Sequence, residues 1–286
     1  MILIADSGST KTDWLLINGS NNTFINTSGI NAYYMSSEAI ADALNRELTP
    51  ALPVDEVRSI YFYGSGCSTK SKCDKISHIL TSIFHNAIVE VNHDMLAAAR
   101  ALCKNRAGIA CILGTGSNSC VYDGSKITRQ MVSLGYFFGD EGSGTHLGKL
   151  LINDFLKGEI PAHISEMLIK EYSLSLEFIL DHIYNYSFPN RFLASFSKFI
   201  ERNITDPYLA KLVAFSFNEF FKVGIKKFTD YKSMEVSFVG SIAYYFQDIL
   251  LDVANQNSIT VANIQRSVIE GLKEYHTKYI SSKISR

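Results

Sequence analysis

The stretch richest in reactive side chains lies at the start of the chain. Asp6, Ser7, Gly8, Ser9, Thr10, Lys11, Thr12 and Asp13 separate two apolar runs, Ile2 to Ala5 and Trp14 to Ile17. A strand that ends on a carboxylate fixes that charge at its tip, where Asp6 can hold a hydrated Mg²⁺ beside phosphate oxygens. Gly8 lets the backbone approach a ligand and takes positive φ without strain. Ser7, Ser9, Thr10 and Thr12 add hydroxyls and Lys11 adds a positive charge. The N–H groups of such a turn can converge on an anion. The same residue types also make an ordinary polar hairpin, so the stretch gains meaning only from the rest of the chain.

Four other places carry comparable signals. Asp94 stands where a strand, Ala87 to Val91, passes through Asn92 and His93 into an Ala-rich helix, Met95 to Lys104. A strand-end carboxylate there can do proton chemistry, or it can simply cap the helix. Gly114, Thr115, Gly116, Ser117 and Asn118 lie between the strands Ile109 to Leu113 and Ser119 to Tyr122, repeating the strand-turn-strand pattern of the first hairpin. This is not a dinucleotide fingerprint, because the third glycine is missing and a strand follows instead of a helix. Gly135, Tyr136, Gly139, Asp140, Glu141, Gly142 and Gly144 crowd the start of a helix that runs through Leu156. The helix dipole accounts for the acidic pair but not for the glycines. Last, Phe238 to Ala243 is a buried strand turning through Gly240 into a helix that begins near Ser241. Gly64 to Ser71 resembles a P-loop, but Thr69 replaces the glycine that should precede the lysine, so a tight strand-to-helix turn is the better reading.

The elements that must position these residues follow from periodicity and breakers. Phe24 to Thr27 reads as a third strand, and Gly29 to Ala32, with Asn31, as a loop before a helix capped by Ser36 or Ser37. Ala39, Ile40, Ala43 and Leu44 form that helix's apolar face. Pro50 and Pro53 break the chain, Ser59 to Tyr63 is a strand, and the helix after Ser71 runs to about Phe84. Asp123 and Gly124 turn the chain into a strand from Lys126 to Val132. Residues 151–233 are largely helical, with breaks at Pro161, Pro189 and Pro207. A short strand, Ile259 to Val261, and a last helix, Ile264 to Tyr275, complete the pattern, with a frayed tail from Lys278. The expected division is 1–106 and 107–286, the last helix packing back on the first part.

Composition narrows the class. At 286 residues and 47% hydrophobic content the chain is globular and longer than one average domain. A net charge of −1 gives no basic field for nucleic acid or an anionic membrane. No apolar run reaches membrane-spanning length, and Asp6 interrupts the first one too early for a secretory signal. Five cysteines without a CxxC pair argue against a disulfide framework and a zinc site, and for a reduced, cytoplasmic setting.

Asp6 to Asp13, Asp94, Leu113 to Asn118, Gly139 to Gly142 and Phe238 to Ala243 occur in the order found in the actin, hexokinase and Hsp70 superfamily. Within it the chain resembles the N-acetylglucosamine kinases and the related ATPases that activate benzoyl-CoA reductase, over nearly its whole length. The resemblance implies an α/β protein with a duplicated ribonuclease-H-like fold, two lobes and a nucleotide cleft. It implies ATP phosphates held by the first hairpin (Gly8, Ser9, Thr10, Lys11, Thr12) and by Gly114, Thr115 and Gly116, with Gly240 and Ser241 against the adenosine. Asp6 would bind Mg²⁺ through water, and Asp94 would take the proton from the attacking sugar hydroxyl. Asn31, Asp94, Ser117, Gly135, Tyr136 and Asp140 match positions that contact the sugar. The implied activity is an ATP-dependent kinase for an N-acetylated amino sugar, N-acetylglucosamine above all, giving the 6-phosphate. Two other activities occur on this fold. One is an ATPase that drives a partner through a [4Fe–4S] cluster bridging two subunits, for which the cysteine spacing here is poor. The other is a sugar-sensing regulator, for which no helix-turn-helix segment is expected before Met1. A small-molecule sugar is therefore the expected partner, with the apolar helices of 160–230 offering surface for a homodimer.

Overall fold

A computed structural model describes residues 1–8 and 10–279. The chain divides into two compact units. The first holds Met1–Arg106, Tyr122–Ile127 and the described residues from Ser267 onward; the second holds Ala107–Val121 and Thr128–Arg266.

The first unit is built on β1 (Ile2–Ser7), β2 (Lys11–Asn18), β3 (Asn21–Ser28), β4 (Ser59–Gly64) and β5 (Ile88–His93), in the sheet order β3-β2-β1-β4-β5. The β1-β2 and β2-β3 pairs are antiparallel, whereas β4 runs parallel to both β1 and β5. Asp6 pairs with Tyr63, and Gly64 with His93, so β1, β4 and β5 end side by side. Leu3, Ala5, Trp14, Ile60 and Phe62 face a core shared with α1 (Ser37–Glu47) and α2 (Lys70–Ile83). Ser36 caps α1 by accepting the Ala39 N–H at 3.1 Å, and Ile40, Ala43 and Leu44 are buried as their spacing predicts. Ala39 is exposed and lies off that face. Thr69 caps α2, so the P-loop-like segment is a strand-to-helix turn. The helix α3 (Asp94–Cys103) follows β5 directly.

The second unit repeats this plan. β6 (Ala107–Leu113), β7 (Ser117–Asp123), β8 (Ile127–Gln130), β9 (Val236–Val239) and β10 (Val261–Gln265) stand in the order β10-β9-β6-β7-β8, with β9 parallel to β6 and to β10. Position for position, β6 to β10 take the places of β1 to β5. Between β8 and β9 the chain forms α4 (Gly135–Phe138), α5 (Gly144–Lys157), α6 (Ala162–Tyr172), α7 (Leu176–Tyr184), α8 (Pro189–Ser195), α9 (Ser197–Arg202) and α10 (Pro207–Phe220). A π-helical turn, Phe221–Ile225, extends α10. Pro161, Pro189 and Pro207 each stand at a helix start, where a missing N–H costs nothing. Phe196, Phe199, Phe217, Phe220, Phe221 and Phe238 fill this unit's core. α11 (Ser241–Tyr245) and α12 (Gln247–Gln256) lie between β9 and β10.

The chain ends differently from its sequence pattern. The segment expected to open the last helix is strand: Ile264 lies in β10, next to Phe238 of β9. The helix α13 spans only Ile269–Glu274 and continues as a π-helical turn, Tyr275–Tyr279. It belongs to the first unit. Gly271 sits so close to α3 that a Cβ there would lie 2.6 Å from the Ala101 carbonyl oxygen, and Lys104 pairs with Glu274. The tail expected to fray begins within the π-helical turn, and from residue 280 it lies outside the described residues.

Candidate active site

In the first unit, the hairpin places Asp6 at the last turn of β1, opposite Asp13. Ser7 and Thr12 are buried and face each other, their hydroxyls 2.7 Å apart. Ser7 also exchanges hydrogen bonds with the Ile30 backbone, and Thr12 donates to the Ser28 carbonyl. These two hydroxyls thus tie the hairpin to the loop that leads to Asn31. The Gly8 N–H closes the turn on the Lys11 carbonyl at 3.0 Å, and Gly8 is not in the left-handed conformation expected for it. Thr10 is exposed, and its carbonyl accepts the Gly29 N–H. Lys11 extends into solvent and bonds both carboxylate oxygens of Asp13 at 2.8 and 2.9 Å. Ser9 lies outside the described residues.

Asp94 is the first residue of α3, one position past the cap; its Oδ1 accepts the Met95 N–H at 2.8 Å. Asp6 on β1 and Asp94 just past β5 therefore stand at the same end of two parallel strands that flank β4. Burial, the Asp94 charge and then the Asp13 charge push Asp6 up to about 7, against a smaller opposing pull from Lys11. Burial likewise raises Asp94, with His93 and backbone N–H groups opposing. With Lys11 held by Asp13, no lysine or arginine bonds to Asp6 among the described residues. An electron-rich strand tip of this kind fits a hydrated divalent cation, which takes one or two carboxylates and completes its shell with water and phosphate. Among the described residues no cluster of three or more His, Cys, Asp or Glu could enclose a metal, so any cation would be held in that sparse manner.

Asn31 turns the chain by accepting the Tyr33 N–H at 2.9 Å, and it lies against Gly66 in the β4-α2 turn. Beneath the strand ends runs a network that no sequence pattern announces. Tyr63 Oη lies 2.9 Å from His276 Nε2, Arg100 donates to Tyr63 Oη and to Glu90 at 2.7 Å each, and Tyr61 stacks on His276 at 3.7 Å. His276 follows Tyr63 by 213 residues. Burial, followed by Arg100, depresses it to about 3, so it stays neutral.

In the second unit, Gly114 N–H closes the matching turn on Gly116 at 3.0 Å, and Gly114 accepts the Gly144 N–H of α5. Thr115 accepts from both the backbone and the hydroxyl of Thr145. Gly240 has φ +122°, and a Cβ there would lie 2.7 Å from the Leu113 carbonyl carbon and overlap its oxygen. Only glycine fits. Ser241, exposed, opens α11 beside it. Asp140 adopts φ +61°, and its Oδ1 accepts the Ser117 N–H at 3.1 Å. A Cβ on Gly116 would press to 3.0 Å of that carboxylate. Burial raises Asp140, and Glu141 adds to the shift, opposed by the Ser117 N–H and Lys149. Tyr136 holds Lys149 Nζ through its carbonyl at 3.1 Å, and Gly135 begins α4 with φ +64°. Two of the glycines left over by the dipole argument are close-packing positions: Gly142 against Phe220, and Gly144 against Ala194 and Ile242. Gly114, Thr115, Gly116, Ser117, Asp140, Gly240 and Ser241 thus gather where the central strands β6 and β9 of the second sheet end.

The repeated strand order, with a small-residue turn after the first strand of each sheet, is the two-lobed α/β architecture of the actin, hexokinase and Hsp70 superfamily. Among solved structures the chain is similar to a proposed N-acetylglucosamine kinase from Porphyromonas gingivalis, at 40% identity and TM-score 0.92, covering 96% of this chain and 98% of that one. A proposed N-acetylglucosamine kinase from Chromobacterium violaceum shares the fold at 16% identity and TM-score 0.72, covering 94% and 96%. So does a proposed sugar kinase from Cytophaga hutchinsonii, at 16% identity and TM-score 0.51, covering 94% and 95%. The chain belongs to the N-acetylglucosamine kinase-like family of sugar kinases. No protein-family model matches it, and no curated protein matches it in sequence.

No helix among the described residues is long and apolar enough to cross a membrane. Cys67, Cys103, Cys111 and Cys120 are buried and Cys73 is half-buried.

Proposed function

We propose that the chain transfers the γ-phosphoryl group of ATP to the 6-hydroxyl of N-acetylglucosamine. The observation that carries this reading is the pair of strand-end carboxylates, Asp6 and Asp94, in a chain of the sugar-kinase family. Phosphoryl transfer asks the protein mainly to position reactants and offset charge, and it needs one carboxylate to receive the proton of the attacking hydroxyl. Asp94 is that base: its elevated affinity for a proton suits acceptance from an alcohol as the oxygen bonds to phosphorus. Asp6 holds the hydrated Mg²⁺. Such an ion, when bound with ATP, offsets the charge on the phosphate oxygens. The hairpin residues Gly8, Ser9, Thr10, Lys11 and Thr12, and in the second unit Gly114, Thr115 and Gly116, are the phosphate-binding segments. Gly240 and Ser241 lie against the adenosine. Asn31, Ser117, Gly135, Tyr136 and Asp140 contact the sugar.

The test is ATP-dependent phosphorylation of N-acetylglucosamine, N-acetylmuramic acid, N-acetylmannosamine and glucose, with Asp94→Asn alongside. Turnover confined to amino sugars, fastest on N-acetylglucosamine and lost in the variant, is expected. ATP hydrolysis with no transfer to any sugar would overturn the reading.

A further inference from the structure

The second unit contains a half-open cavity of about 590 Å³, within the size range of ligand pockets. Ser117 and Asp140 form part of its wall, and Met131, Val132, Leu134, Phe138, Val223 and Phe228 make most of the remainder apolar. Ser117 is only 6% exposed, and its hydroxyl has no hydrogen-bond partner among the described residues. A buried hydroxyl without a partner is unfavourable. Beside an open chamber it points to a ligand atom that completes it.

The charges on the wall do not favour an anion. Arg129 and Lys227 line the cavity, but Arg129 donates to both carboxylate oxygens of Asp230 at 2.7 Å. Asp140 and Glu141 stand on the same wall. Two cations facing two carboxylates, with a third carboxylate already engaging the arginine, leave no net positive field. The apolar side chains are the remaining means of recognition.

We propose that this chamber accepts N-acyl chains longer than acetyl, the amide end of the amino sugar completing the Ser117 hydroxyl while the alkyl chain lies against the apolar wall. The inference rests on the reading that Ser117 and Asp140 face the acceptor. The acceptor class is then N-acylated glucosamine, with acetyl as its shortest common member. A pocket cut to fit acetyl would penalise each added methylene about tenfold or more. An unfilled apolar chamber instead rewards each one by about two- to fourfold.

The test is calorimetric titration of the full chain with N-acetyl-, N-propanoyl-, N-butanoyl- and N-hexanoylglucosamine, together with ATP-dependent phosphorylation of each. The Kd is expected to fall by about two- to fourfold per methylene as far as butanoyl. Val223→Phe, which narrows the chamber, is expected to reverse the order of acetyl and butanoyl. Val132→Trp, at an exposed stretch of the wall, gives the same readout if the first variant does not fold. A Kd that rises with every methylene, in a chain that phosphorylates N-acetylglucosamine, overturns the inference and leaves the kinase reading standing. Neither binding nor turnover of any member, acetyl included, counts against the kinase reading and takes the inference with it.

Discussion

The two units share a strand order and place a small-residue turn after the first strand of each sheet, yet they equip those turns oppositely. The first unit puts charge into its own hairpin, with Asp6, Lys11 and Asp13 on two paired strands, and adds a third carboxylate, Asp94, just past β5. The second unit has no ionisable group in Gly114 to Ser117. Its turn is braced from outside, by the Asp140 carboxylate on the Ser117 N–H, by Thr145 on Thr115, and by Gly240 against Leu113. Duplication supplied one scaffold twice; reactive groups went to one copy and close packing to the other. In the first unit, then, substitutions should act on turnover and titration. In the second they should act on stability and on ligand binding.

The largest effect expected is on turnover. Asp94→Asn should lower kcat by about 10²- to 10⁴-fold while ATP binding, followed by titration calorimetry, stays within a few-fold. Near-normal kcat would remove the first unit's claim to the chemistry. Gly240→Ala probes the second unit. With φ at +122° and the Leu113 carbonyl in the way, it should cost about 2 to 5 kcal/mol in denaturant unfolding. An unchanged midpoint would mean that the second turn does not depend on that contact.

Asp6→Asn sharpens the contrast, because it should damage activity and improve stability together. The Asp6 carboxyl ionises near its ordinary 3.8 when unfolded but only at about 7 when folded. Its contribution is therefore fully present below 3.8 and is lost as pH rises to 7. At pH 8 the asparagine variant should be the more stable by on the order of 1 kcal/mol, since Asp6 is only half-buried. The difference should vanish in acid. The opposite sign applies to His276, depressed from 6.5 to about 3. Stability present above 6.5 is lost as pH falls through that interval, by up to about 1.4 kcal/mol per pH unit. His276→Gln should flatten this slope in acid unfolding curves, leaving the smaller share due to His146, which is also depressed, to about 4. The smallest effect belongs to Lys11→Ala. An exposed lysine already paired with Asp13 is worth under about 1 kcal/mol. Its place in the phosphate-binding hairpin predicts weaker ATP binding in titration calorimetry, and an unchanged affinity would leave Lys11 with Asp13 alone.

Much of this arrangement is legible in the sequence where signals are local. The hairpins, the Ser36 cap and the Pro-marked helix starts follow from residue type and short spacing. The last tenth or so of the chain misleads because β10 is a partly exposed strand carrying Asn263 and Gln265, so it shows no alternation, and its apolar residues read as the start of a helix. Contacts across long separations leave no trace in a single sequence. The Asp140 brace on Ser117 spans 23 residues, and the Tyr63 to His276 contact spans 213. Gly142 and Gly144 are visible as members of a glycine cluster, but what they touch is fixed only when Phe220, Ala194 and Ile242 arrive.

The packing of α13 on α3 bears on the order in which the protein can mature during translation. The second unit is nearly one continuous stretch, from Ala107 to Arg266 with a short excursion, and can consolidate as it leaves the ribosome. The first unit begins earlier but finishes later. Its Ala101 surface and the Lys104 and Tyr63 side chains wait for Gly271, Glu274 and His276, which are made some 170 residues after Lys104 in the case of their ion pair. Closing so long a loop is slow. The half of the molecule that emerges first, and that carries both Asp6 and Asp94, is thus the last to be completed.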